Sequence, residues 1–183
     1  MGVVAHVRGM TMEDCEAVAT VRVRGWRHAY AGLIPQSYLD AMSVGEDAAR
    51  RRAHLAEGEE RITHVVAVQD GEVVGWGCCG PCRDDDAAPG VCELYAIYVL
   101  PERIATGVGR ALLDELTERA VADGFERMRL WVLKENGRAR RFYARAGFAP
   151  DGAEEPFEVD GVAVPEVRYA RALTSAGCGT HAG

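Results

Sequence analysis

The chain has 183 residues, 48% hydrophobic and 27% charged, with a formal net charge of −7. That length suits one domain with a single core, and the acidic balance excludes a protein-wide basic footprint for nucleic acid. No apolar run is long enough to cross a bilayer, and residues 1–8 lack the basic-then-apolar order of a signal peptide, so a cytoplasmic protein without membrane contact is expected.

Residues 3–8 read as a first strand. Thr11 precedes Asp14 by three positions, which is a capping-box-like helix start. That helix runs through Ala17, Val18 and Val21 to Trp26, and an aromatic, turn-prone stretch leads to Pro35. Pro35 opens a short helix through Tyr38, Leu39 and Met42, and residues 46–56 form a third. Thr63–Gln69 is β-branched and apolar, a buried strand. Asp70-Gly71 is a two-residue hairpin signal. The partner strand follows over residues 72–79, with Gly75 and Gly77 expected to weaken its outer half. A loop over 81–90 carries Asp84-Asp85-Asp86. Val91–Val99 is a further strand, broken by Pro101.

Residues 107–123 read as a helix with Leu112, Leu116 and Ala120 on one face. Gly124 is placed to cap it. Arg127–Leu133 alternates as a strand. Asn136 opens a short helix with Ala139, Phe142, Tyr143 and Ala146 as its apolar stripe, ended by Gly147. Residues 156–173 read as two strands joined at Asp160-Gly161. One domain over 1–173 is expected, with a disordered tail over 174–183. The strand runs should pair antiparallel, whereas strand 91–99, helix and strand 127–133 form a parallel crossover. The fold class is therefore α+β, a mixed, mostly antiparallel sheet with helices on both faces.

The chemistry points to the turn Ile104-Ala105-Thr106-Gly107-Val108-Gly109-Arg110. It follows a strand and opens a helix, where consecutive backbone N–H groups face outward at a positive helix end. Small residues there let a phosphate approach. Lys134 is the only lysine in the chain, so arginines such as Arg103 and Arg110 are the cations available. No Gly-Lys-Ser/Thr follows, which excludes a Walker A loop, and Leu112 stands where a dinucleotide fingerprint needs its third Gly.

The stretch from Glu93 to Leu113, with Leu94-Tyr-Ala-Ile-Tyr-Val leading into that turn, resembles the acyl-CoA motif of the GNAT N-acetyltransferases. Leu130-Trp-Val-Leu-Lys-Glu-Asn136 with Arg140-Arg-Phe-Tyr-Ala-Arg-Ala-Gly-Phe148 resembles the family's second block. Trp26-Arg-His-Ala-Tyr30 resembles its acceptor-side helices. Ile104 and Ala105 depart from the family, which usually has a polar residue and a Gly at these positions.

The resemblance implies an acetyl-CoA-dependent N-acetyltransferase acting on a primary amine of a small molecule or peptide, with CoA as product and a homodimer as a common state. Backbone groups of Ile97, Tyr98 and Val99 would pair with the pantetheine arm. Residues Ile104 to Arg110 would hold the pyrophosphate, Asn136 would bond the cofactor arm, and Tyr143 would protonate the leaving thiolate. A donor with a longer acyl chain, an aminoacyl-tRNA donor, or a non-catalytic CoA-binding module are the alternatives.

Amine attack on a thioester needs a base for the ammonium and a proton for the sulfur. Glu93 is the candidate base, directly or through water; its other reading is a solvated strand-start residue. Tyr143 is the candidate acid or else a core aromatic. Trp26 and Tyr30, with the 160–161 hairpin, are expected to wall the acceptor site, or else the two aromatics fill core. Cys79-Gly-Pro-Cys82 spells a thioredoxin-type motif, but it ends a strand and meets an acidic run where redox chemistry needs a helix N-terminus. Cys79, Cys82 and Cys92 lack a second paired motif for zinc, so no metal is expected.

Overall fold

The structure, a computed structural model, describes residues 5–58 and 61–173; the expected tail from Thr174 lies outside them. Seven strands form one sheet: β1 (His6–Gly9), β2 (Thr63–Gln69), β3 (Glu72–Pro81), β4 (Val91–Val99), β5 (Arg127–Leu133), β6 (Ala149–Val159) and β7 (Val162–Ala172). Their spatial order is β1-β2-β3-β4-β5-β7-β6. Every neighbouring pair is antiparallel except β4–β5. The helices are α1 (Cys15–Ala29), α2 (Gln36–Ala41), α3 (Val44–Glu57), α4 (Val108–Ala122) and α5 (Gly137–Arg145).

Strand alternation divides the core between the two faces. Val65, Ala67 and Val74 pack with Leu112, Leu113 and Leu116 of α4, and Phe142 and Tyr143 of α5 join that side. Val66, Trp76 and Cys78 pack with Val18 and Val21 of α1 on the other. The entry to α1 is fixed by Asp14, whose carboxylate accepts from Thr11 N at 2.8 Å and from both Arg8 nitrogens at 2.7 and 2.9 Å. Asp47 of α3 is only 4% exposed and is bound by Arg22 of α1, Arg50 and Arg51. A buried carboxylate is stable only with such partners, so this cluster locks α3 onto α1.

Two expectations change. Strand β6 begins at Ala149, not at residue 156. Its first half contains Pro150 and Gly152, and its pairing with β7 slips between Pro150 and Glu154. An edge strand tolerates both, because proline costs no ladder bond on an unpaired side. Gly75 and Gly77 do not weaken β3. A Cβ at Gly77 would lie 2.9 Å from Leu116 Cδ1 and 3.1 Å from Ala96 O, and one at Gly75 would lie 2.9 Å from Leu112 Cδ1. The bare backbone lets α4 lie directly on the sheet.

Gly77→Val should therefore destabilise the fold by about 1–3 kcal/mol, since the carbonyl of Ala96 cannot yield as a side chain can. Urea unfolding at a single wavelength measures it; a cost near zero would mean that α4 does not pack this closely.

Candidate active site

The site is built where β4 leaves β5. The two strands are paired only at Val91↔Arg127, Cys92↔Met128 and Glu93↔Arg129. Beyond Glu93, β4 continues beside β3 and β5 continues beside β7, so a wedge opens between them. The divergence coincides with a β-bulge: Cys79 opposes Leu94 and Cys78 opposes Ala96, leaving Tyr95 with no partner across β3. An extra residue of this kind bends its strand and raises its twist. The sequence Glu-Leu-Tyr-Ala carries no Gly or Pro to announce it.

Backbone polarity along the open edge follows by alternation. Leu100 N donates to Val74 O at 2.9 Å, so Leu100 and Tyr98 turn their peptide groups to β3. Ile97 and Val99 then present N–H and C=O to the wedge, where a ligand's amide groups can pair with them. Tyr98 does not share that backbone part. Its side chain enters the other face, stacking on Trp76 at 6.3 Å between centroids and sharing a 3.0 Å hydrogen bond between its hydroxyl and that of Tyr30.

The turn after β4 closes one end of the wedge. A 3-10 turn at Pro101–Arg103 leads to Ala105 and Gly107, both left-handed at φ 63 and 93, and Gly107 is the N-cap of α4. No side chain caps this helix and its first turn holds no acid. The N–H groups of Val108, Gly109 and Arg110 have no intrahelical acceptor at that position and face outward. Nothing lies within 4 Å of where a Gly107 Cβ would stand, so the approach is open. Thr106 Oγ1 donates to Arg103 O at 2.6 Å and so braces the turn. Arg110 is paired with Asp114 at 2.8 Å, which leaves Arg103 as the better placed side-chain cation for an anion here.

On the opposite bank, Asn136 caps α5, its Oδ1 accepting from Ala139 N at 3.2 Å. Its Nδ2 remains as the donor for a ligand in the wedge. Tyr143 of α5 lies edge-on to Phe142 and Phe148 at 5.2 and 5.9 Å. Burial pushes its hydroxyl well up, as does the nearby Tyr30. Its ring packs on the α4 side of the sheet, close enough to Tyr30 and Tyr98 for their charges to be felt.

The α1 face holds a cavity of about 720 Å³. Trp26 forms its floor, with Tyr30 edge-on at 4.8 Å and Tyr38, Tyr98 and Phe157 at 5.9, 6.2 and 6.4 Å between centroids. Its Nε1 is buried and meets no acceptor among the described residues. Trp26 and Tyr30 thus line the cavity while packing with Ile34 and Leu39, so their two readings describe the same side chains.

Glu93 stands at the apex of the wedge, 4% exposed, but its carboxylate is committed. It accepts from Arg83 Nη2 at 2.6 Å, from Arg83 Nε at 3.2 Å and from Arg83 N at 3.0 Å. The acidic run turns inward too. Asp84 accepts from Trp131 Nε1 at 2.9 Å and from Arg168 at 2.9 Å, pinning the 81–90 loop to β5 and β7. Phe157 and Glu166 lie on the two strands of the hairpin that turns at residues 160–161, the wall expected beside Trp26 and Tyr30, and Tyr38 comes from α2; no local pattern singled out these three side chains.

The cysteine motif does not form a reactive pair. Cys79 and Cys82 are both reduced. Cys79 is buried under α4, and burial pushes its thiol up to about 11. Cys82, Asp84 and Glu93 do come within 4.8 Å of one another, but Arg83, Arg168 and Trp131 already occupy the two carboxylates.

The profile of the Acetyltransferase (GNAT) family matches residues 22–148. The chain belongs to that family. An uncharacterized N-acetyltransferase of Bacillus subtilis, YuaI, is 34% identical over 162 residues, covering 88% of this chain and 89% of its own. Among solved structures, the PaiA N-acetyltransferase of Thermoplasma acidophilum in complex with coenzyme A superposes with a TM-score of 0.70 at 20% identity, over 92% of this chain and 99% of that one. The YncA acetyltransferase of Salmonella typhimurium, with acetyl-CoA, gives 0.71 at 21% identity over 98% and 99%. At such identities the likeness is one of fold, and it extends over nearly the whole chain. Among the described residues, no helix of this GNAT chain is long and apolar enough to cross a membrane.

Gly107→Val should weaken CoA binding at least about tenfold, because a β-branched residue at φ 93 costs on the order of 1–2 kcal/mol and crowds the N–H groups. Thr106→Val, which loses only the brace to Arg103, should cost less. Isothermal calorimetry ranks the two, and the reverse order would move the phosphate site off the helix end.

Proposed function

We propose that this GNAT protein transfers the acetyl group of acetyl-CoA to a primary amine by direct attack, with both substrates bound at once. The observation that carries this reading is the wedge. One opening meets an uncapped helix N-terminus suited to a pyrophosphate, and the other meets an aromatic cavity suited to an acceptor. An extended arm lying in the wedge finds the peptide groups of Ile97 and Val99 on one bank and Asn136 Nδ2 on the other. Residues 104–110 take the pyrophosphate mainly through backbone N–H groups, with Arg103 assisting. The acetyl end then emerges where Tyr143, Tyr30 and Tyr98 converge.

Acetyl-CoA supplies the activated acyl group; the protein supplies position and protons. Binding both partners across one gap makes the attack effectively unimolecular. Tyr143 gives its hydroxyl proton to the departing sulfur. Burial keeps that hydroxyl protonated throughout the physiological range. The same dry surroundings strengthen a thiolate as a base, so the transfer is not opposed by the high affinity of Tyr143 for its proton.

The basic test is calorimetry with acetyl-CoA followed by thiol release with a panel of primary amines. Binding without transfer to any amine would leave a CoA-binding module. Tyr143→Phe should lower kcat by about 10²-fold while leaving acetyl-CoA affinity nearly unchanged. An unaltered kcat would remove Tyr143 from the proton path.

A further inference from the structure

The sequence points to Glu93 as base, yet three hydrogen bonds from Arg83 hold that carboxylate. Another carboxylate lies in the same cavity with none. Glu166 of β7 stands opposite Leu133 of β5 and opposite Glu155 of β6. Directly opposed residues share a face of the sheet. Leu133 packs there with Ile34, Leu39, Trp26 and Tyr30, so Glu166 faces the aromatic cavity. Among the described residues, no hydrogen bond or ion pair reaches its carboxylate.

We propose that Glu166 takes the proton from the acceptor, and that the acceptor enters as a cationic primary amine on an aliphatic chain. The inference rests on the acetyl-transfer reading above. The cavity's charges favour it. Arg83 is taken by Glu93, Arg22 by Asp47, and Asp84 by Arg168. Among the described residues, Glu155, Glu166 and Asp85 are left without an ion-pair partner on the cavity wall. Aromatic faces of Trp26, Tyr30, Tyr38 and Phe157 complete a surface that attracts an ammonium and packs its methylenes.

The groups facing Glu166 set its proton affinity. Arg22 looks in from α1 and Tyr30 from the residue after it, Tyr38 from α2, Arg83, Asp84 and Asp85 from the loop before β4, Glu93, Tyr95 and Tyr98 from β4, and Glu155 from β6. Lys134, the next residue after β5, is held away by Glu154 at 2.8 Å. Burial first, then Glu155 and Glu93, push the Glu166 carboxyl up to about 7, with Arg83 opposing. A base tuned to that range is matched to the working pH. The step balances as follows. The ammonium gives one proton to the Glu166 carboxylate, and the freed nitrogen pair forms the C–N bond as the C–S bond breaks. The sulfur takes the Tyr143 proton. The nitrogen's second proton restores Tyr143 through solvent, and Glu166 returns its own to water.

Cadaverine, a dication on a five-carbon chain, is the probe. Transfer by the wild-type protein should fall as pH drops through about 7, where Glu166 becomes protonated. Glu166→Gln should lower kcat/KM about 10²-fold and abolish that acid limb, leave acetyl-CoA binding intact, and be partly rescued by Glu166→Asp. An unchanged profile in Glu166→Gln, with the loss appearing in Glu93→Gln instead, overturns the proposal. Two readouts need no turnover. Carbon-13 NMR of glutamate side chains should show one carboxyl titrating near 7 that is missing from Glu166→Gln. Because folding raises this carboxyl, ionising it destabilises the native state above the unfolded value. Glu166→Gln should thus melt higher than wild type at about pH 8, and the gap should shrink as pH falls and close only below the unfolded glutamate value, by about pH 4. A Glu166 carboxyl titrating at the ordinary glutamate value overturns the proposal even with no acceptor found. If acetyl-CoA binds, Glu166 titrates high and no amine is acetylated, the fault lies in the acetyl-transfer reading.

Discussion

Everything distinctive about this protein depends on three backbone pairs between β4 and β5 and on the absence of a fourth. A fully zipped sheet would have no interior passage. A sheet split along its length would lose cooperativity between its halves. Here the two halves are joined at residues 91–93 and 127–129 and then part. The bulge at Tyr95 turns β4 outward, and α4 and α5 cover the far side of the gap without filling it. Backbone groups left unpaired in a protein interior are costly unless something satisfies them. The open peptide groups of Ile97 and Val99 must be met by water or by a ligand, and on the reading proposed above an extended ligand pairs with them as a strand does.

The rest of the molecule holds this split open. Gly75 and Gly77 let α4 lie flat on β3, which brings its N-terminus to the end of β4. Asp84 ties the loop before β4 to Trp131 and Arg168, across the sheet from the wedge. The Arg83–Glu93 pair caps the apex. On this account Glu93 is a positioning residue for the cavity wall. Its carboxylate is held by Arg83 at the side chain and the backbone, which fixes the start of the 81–90 loop against β4.

Much of the fold was legible because its elements are locally consistent. The 3.6-residue spacing of Leu112, Leu116 and Ala120 and the Asp70-Gly71 and Asp160-Gly161 turns fix helices and hairpins without tertiary help. So does the β-branched run in β2. The tight turn into α4 was legible for the same reason: small residues just before a helix are local chemistry, and Ala105 and Gly107 take left-handed backbone there. Strand β6 was half missed because Pro150 and Gly152 obey loop rules, and only its edge position makes them tolerable in a strand. The acceptor side was the least legible. Trp26 and Tyr30 were marked by their aromatic character, but Tyr38, Phe157 and Glu166 come from three separate elements and meet only after folding.

The sequence by itself determined the elements, their order, the family and the small-residue turn that opens α4, since each rests on spacing within a few residues. Only the tertiary structure decided which carboxylate is tied up by an arginine and which is not. Glu93 and Glu166 are both glutamates on strands, and no local pattern separates them. Arg83 reaches the first, while burial and the facing Glu155 raise the second. That difference lies in distances between chain segments that are remote in sequence.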